Sequence, residues 1–211
     1  KISKKWNKTK FFKAKRLEQY HRFQSFDSTE FSLEPDLKES PGCLRDFQTA
    51  LWILEHCFEL KKLQDCATAK LFSKTEITSI NQSYAHIKTL RFFLNLHSSS
   101  NRISFENQLL LAKKSKLKAS KKSSAVEKFM RTFFLHASNL SDFNELVFQA
   151  YDDQLTMLKR PYTKNYYIFK DRMGITDNVD LVKRPEFILD SLIQVGKLKK
   201  INGLDFKSIR K

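Results

Sequence analysis

Glycine and proline are scarce, with four of each in 211 residues. The many tight turns of a β-sandwich or barrel draw on both, so an all-β fold is disfavoured and helices are favoured. So few glycines also leave no Gly-rich phosphate loop, which removes the P-loop and dinucleotide-binding classes. The cysteines are odd in number, Cys43, Cys57 and Cys66, and show neither C-x-x-C spacing nor a histidine placed so as to suggest a zinc site. Reduced thiols are expected rather than a zinc site. The longest apolar run, Ala50 to Leu54, falls far short of the roughly 20 residues that span a bilayer. No charged n-region followed by an apolar h-region opens the chain. A cytoplasmic protein without membrane contact is expected. The five histidines are scattered, and no Ser-His or Cys-His pairing suggests nucleophilic catalysis.

What is present is apolar mass and positive charge. Hydrophobic residues make up 41% of the chain and include 19 Phe, enough to bury a core. The net charge is +16, and Lys1 to Arg22 holds nine basic residues against the single acid Glu18. A second cluster, Lys113, Lys114, Lys116, Lys118, Lys121 and Lys122, contains no acid. Such clusters attract nucleotides, nucleic acids or acidic protein surfaces without choosing among them. The second cluster fits a solvated, flexible connection equally well.

The apolar spacing predicts a basic helix through about Phe23, then a short strand over 31–38. On that strand Leu33 and Leu37 are expected to face a core, while Glu34, Asp36 and Lys38 share the opposite face. Pro35 places it at an edge or bulge. By itself, the pattern favours an ordinary exposed polar face. Beyond the turn at Ser40-Pro41-Gly42, helices are predicted over 44–60, briefly near 64–72, from a Ser73 or Thr75 cap to about His97, from Ser104 to about Lys114, and over 124–158. The last is read as the spine of a bundle. Arg91 falls on an apolar stripe, and snorkelling to the rim is its expected state. Past Pro161, short strands at 166–169 and 178–182 around Gly174 suggest a hairpin, followed by a helix framed by Pro185 and Gly196. The fold class expected is mainly α, a helical bundle with a small β element near each end, and no internal repeat.

The run Leu33-Glu-Pro-Asp-Leu-Lys-Glu-Ser-Pro-Gly-Cys-Leu-Arg-Asp-Phe-Gln-Thr-Ala-Leu-Trp-Ile53 closely resembles the bifunctional PII uridylyltransferase/uridylyl-removing enzymes. That family typically reads L-E-P-N-x-K-x-x-P-G-G-L-R-D-x-x-T-x-x-W at this point. Gln19 to Phe23, Leu90 to His97 with Arg102, Phe105 and Gln108, and Val126 to Arg131 with Phe134 and His136 agree in the same order. Two departures stand out: Asp36 replaces the usual Asn, and Cys43 replaces the second Gly. If that glycine needs a positive φ, Cys43 is expected to strain the turn.

The resemblance implies a nucleotidyltransferase domain, a helical domain, an HD hydrolase domain and two ACT domains in the parent, with Mg²⁺, UTP and the PII signalling protein as cofactor and partners. The first residue is Lys, and this chain is expected to be cut from something longer. Residues 1–43 would end the nucleotidyltransferase domain, 44–160 form the helical bundle, and 161–211 lead toward the HD domain. The family's Gly-Ser and D-x-D metal motifs are absent from the sequence, so activity is expected of the parent rather than of this chain alone. The resemblance makes Glu34 a third metal carboxylate with Asp36 beside it as a second catalytic acid, Lys38 and Arg45 phosphate ligands, and Asp46 a support for Arg45 or a helix cap. Arg91 and Arg102 would extend the pocket. The alternative is a basic helical module for nucleic acid or protein interaction without catalysis.

Overall fold

The computed structural model describes residues 6–26, 31–98, 100–115, 117–120, 123–155, 160–169, 171–176, 178–181, 183–198, 200–201, 203–205 and 208. The protein is mainly helical with one small sheet, and it divides into two compact units, Lys1–Tyr151 and Asp152–Lys211. Lys1, Lys116, Lys121 and Lys122, and positions 156–158 and 182 of the expected elements, lie outside the described residues. No described helix is long and apolar enough to cross a membrane.

The first unit contains α1 (Lys8–Gln24), α2 (Leu44–Cys57), α3 (Asp65–Thr68), α4 (Lys74–Asn95), α5 (Phe105–Lys114) and most of α6 (Ala125–Leu155). Their starts follow the chemistry of the free backbone N–H groups at helix ends. Asn7 accepts from the amides of Thr9 and Lys10, and Ser104 accepts from that of Asn107. Ser73 and Glu76 form a reciprocal capping box at α4, so Ser73 rather than Thr75 is the cap.

Aromatic rings join these helices. Phe12 of α1 packs against Phe148 and Tyr151 of α6 at 5.4 and 4.8 Å between ring centroids. Phe47 of α2 stacks on Tyr84 of α4 at 4.1 Å and meets Phe143 of α6 at 5.7 Å. Each such pair contributes about 0.5–1.5 kcal/mol beyond its buried area. Because Phe12 and Leu37 belong to the same buried cluster as α2 and α6, α1 and the loop after it share the bundle's core.

The second unit is a four-stranded sheet in the order β1 (Arg160–Pro161), β2 (Tyr166–Phe169), β3 (Arg172–Ile175), β4 (Gly203–Leu204), with α7 (Glu186–Lys197). The first three strands are antiparallel and β4 joins β3 in parallel. The hairpin forms, but its second strand is 172–175 rather than 178–182, and Gly174 lies inside it. The cause is packing: Gly174 pairs with Tyr167, and a Cβ there would meet the Tyr167 ring at 2.1 Å. Tyr167 in turn donates to Asp205, and Tyr166 donates to Asp190 at 2.7 Å. These contacts tie the hairpin to α7 and the chain beyond it.

Candidate functional site

Residues 31–38 form no continuous strand. Among the described residues the β element here is a single antiparallel bridge, Asp36 to Arg102, flanked by bonds from Leu37 N to Asn101 O at 2.9 Å and from Ile103 N to Pro35 O at 2.8 Å. Pro35 has no N–H to donate, and here it needs only its carbonyl. The alternation fails at Leu33, which is 72% exposed, whereas Leu37 is fully buried. One reason is local: the Asp36 carboxylate accepts from the amides of Lys38 and Glu39, both at 2.8 Å. Such an Asx turn bends the chain where a strand would need it extended.

The turn then feeds α2. The carbonyls of Leu37 and Lys38 accept from the amides of Leu44 and Arg45 at 3.2 and 2.8 Å, which satisfies N–H groups that the side chain of N-cap Cys43 leaves alone. Gly42 carries the positive φ of the turn, +72°, and a Cβ on it would stand 2.2 Å from the Ala137 carbonyl oxygen of α6. Cys43 is extended at φ −100°, so the strain expected there does not arise. It is fully buried, and burial pushes its thiol well above the usual range.

Asp46 sits beneath this turn with no exposed side-chain surface. It pairs with Arg22 of α1 and accepts from Gly42 N at 2.7 Å. Its backbone carbonyl accepts from Asn144 of α6 at 2.9 Å, and Asn144 accepts from Gln19 of α1 at 2.7 Å. Burial raises the Asp46 carboxyl to about 6, against the opposing pull of Arg22 and the Gly42 amide. Asp46 therefore fixes α1, the turn and α6 to one another, and no bond joins it to Arg45.

The other site residues fall into two small groups. Glu34 takes an ion pair from Arg102 at 3.1 Å and the amide of Phe105, the first residue of α5, at 3.0 Å. A carboxylate is favourable there because it meets the positive end of the helix dipole. Lys38 and Arg45 meet through a residue the sequence did not single out, Glu39. Lys38 Nζ lies 3.0 Å and Arg45 Nη2 3.1 Å from the same Glu39 oxygen, and Arg45 Nε lies 3.4 Å from the other. These bonds hold the Glu39 carboxyl below its usual value although burial works the other way. Arg91 is half-buried, and its Nε donates to Asn101 Oδ1 at 2.9 Å, bracing the segment that bridges to Asp36.

A divalent cation of the Mg²⁺ type needs several oxygen ligands with free lone pairs. Among the described residues no group of three or more His, Cys, Asp or Glu side chains converges for that purpose, and Glu34 and Asp36 already hold Arg102 and backbone amides. The carboxylates of this segment do not fit a complete Mg²⁺ site by themselves.

The GlnD PII-uridylyltransferase family model matches residues 10–148, two thirds of the chain and all of this segment, and the chain belongs to that family. Bifunctional uridylyltransferase/uridylyl-removing enzymes are its relatives. Those of Hydrogenovibrio crunogenus, Acinetobacter baylyi and Pseudomonas aeruginosa are 27%, 23% and 26% identical over 97%, 99% and 97% of this chain. The chain spans about a quarter of the length of each, 24%, 25% and 24%. No solved structure matches it.

Proposed function

We propose that this chain is the helical portion of a nucleotidyltransferase that moves UMP from UTP to a PII-type signalling protein in the cytoplasm, and that the 34–46 turn with Arg102 forms one wall of its cleft. The observation that carries the reading is the convergence of Lys38 and Arg45 at the start of α2, partly exposed, inside the family segment. In nucleotidyl transfer, negative charge builds on the leaving pyrophosphate, and fixed cations lower that barrier. Arg45 offers a planar fork and Lys38 a point charge, two complementary ways to hold phosphate oxygens. Arg102, exposed and paired to Glu34, supplies a further cation. In this reading Glu34, Asp36 and Asp46 shape the turn, Arg91 braces it through Asn101, and Mg²⁺ ligation falls to the nucleotidyltransferase segment of the longer enzyme.

The test is UMP transfer from labelled UTP to PII by the longer enzyme carrying Lys38→Ala or Arg45→Ala. The expected result is a rate lowered at least about tenfold, with thermal unfolding unchanged within a few degrees. Equal rates would remove both residues from the site. The competing reading, a nucleic-acid-binding module built on α1, predicts binding to generic duplex that weakens steeply with salt. Two cations of α1 are already paired, Lys8 with Glu59 at 2.6 Å and Lys15 with Glu18 at 2.7 Å. Titration with duplex at two salt concentrations separates the readings, since a nucleotide cleft shows no affinity for long duplex.

A further inference from the structure

Glu39 stands apart from the other carboxylates of the turn. Glu34 and Asp46 each pair with one arginine and accept a backbone amide, and Asp36 accepts backbone amides, whereas Glu39 is gripped by two side-chain cations at once. The Arg45 guanidinium approaches it edge-on with two N–H groups, and the Lys38 ammonium closes on one of the same oxygens. A forked guanidinium plus an ammonium around one planar oxyanion is the donor set that also suits a phosphate. Arg45 lies in the first turn of α2, where the helix field favours an anion. All three side chains keep between a quarter and two fifths of their surface, 36%, 27% and 26% for Lys38, Glu39 and Arg45. Ion pairs so exposed contribute little to folding, and their outward donors stay within reach of a solute.

We propose that Lys38 and Arg45 form an anion seat which Glu39 occupies as an internal counter-ion, and that a polyphosphate chain enters by displacing the Glu39 carboxylate. This rests on the reading above that Lys38 and Arg45 face the nucleotide's phosphates, and it adds a regulating group to that site. Glu39 holds the two cations in place while no ligand is bound, and it weakens every anion in proportion to the charge it must give up. A singly charged anion gains little over the resident carboxylate; a triphosphate, with several charges and three phosphoryl groups, outcompetes it. The seat is thereby biased toward polyphosphates.

The test is a calorimetric titration of the protein with inorganic tripolyphosphate at low ionic strength, for the wild type and for Glu39→Gln, Glu39→Ala, Lys38→Ala and Arg45→Ala. Removing one like charge close to the ligand should tighten binding by about 3- to 10-fold in both Glu39 variants. Loss of either cation should weaken it by at least about as much. Unchanged or weaker binding in both Glu39 variants, with the cation variants impaired, overturns the counter-ion role and leaves the phosphate-facing reading standing. Unchanged binding in Lys38→Ala and Arg45→Ala overturns that reading and the inference with it.

Discussion

Arg22 and Asp46 form an ion pair across 24 residues of sequence, with side chains only 9% and 0% exposed. A pair this deep binds the last turns of α1 to the first turn of α2. Its value lies less in net attraction than in the penalty for breaking it, because either partner alone is a buried, uncompensated charge. Arg22→Ala or Asp46→Ala is expected to cost about 3–5 kcal/mol. An Arg22→Met/Asp46→Leu double variant should recover much of that loss. Urea denaturation of the four proteins checks this, and single variants within about 1 kcal/mol of wild type would show that the pair does not hold α1 in place.

Both Gly42 and Cys43 of the turn should lose stability on substitution, Gly42 more than Cys43. Gly42→Ala forces an L-residue to φ +72° and drives a methyl into the Ala137 carbonyl, so a loss of more than about 2 kcal/mol is expected. Cys43→Gly, which restores the residue usual in the family, should not stabilise. Position 43 already has an unstrained φ of −100° and a buried thiol, and the change should cost about 1 kcal/mol through lost packing and added chain freedom. Thermal melts of both variants decide the matter, and a stabilised Cys43→Gly would contradict the backbone geometry described.

Stability should also fall on mild acidification through the α4–α6 contact. His86 and His136 lie with ring centroids 4.2 Å apart, and burial, together with the neighbouring His136, lowers His86 to about 4. Burial lowers His136 as well. The unfolded chain takes up these protons near pH 6.5 while the folded chain refuses them until lower pH, so stability is full above about 6.5 and declines as pH falls toward 4. Allowing for the partial exposure of the ring, the His86 share is roughly 1–2 kcal/mol. Asp46, whose pKa is raised, acts in the opposite sense between about 6 and 3.8. The informative quantity is therefore the difference between wild type and His86→Gln in urea melts at pH 7.5 and 4.5. An identical pH response in the two proteins would show that the His pair does not titrate with folding.

Much of the helical plan was legible in the residues. Leu44, Phe47, Leu51 and Leu54 recur at helical spacing and α2 follows them, and a cap at Ser73 or Thr75 marks the start of α4, where Ser73 proves to be the cap. Local signals of this kind depend on neighbours within one or two turns, so sequence carries them whole. The segment over 31–38 was misread because alternation can be read from a sequence but partners cannot. Among the described residues its sheet-like neighbour is Arg102, 66 residues away, and the Asp36 side chain turned the backbone before a ladder could extend. Gly174 sits inside a strand rather than at the turn, a difference hidden from sequence because a glycine reserved for an aromatic ring looks the same there as one reserved for a positive φ.

The sequence by itself determined the helices, the family and the candidate residues Glu34, Lys38 and Arg45, because periodicity, capping and motif spacing are properties of short stretches of chain. Only the tertiary structure decided what those side chains touch. It set Asp46 against Arg22, joined Glu34 to Arg102 and the α5 amide, and gathered Lys38 and Arg45 on Glu39. The physical reason is that an ionic contact depends on distance and on exclusion of water, and both arise only when remote segments pack around a common core.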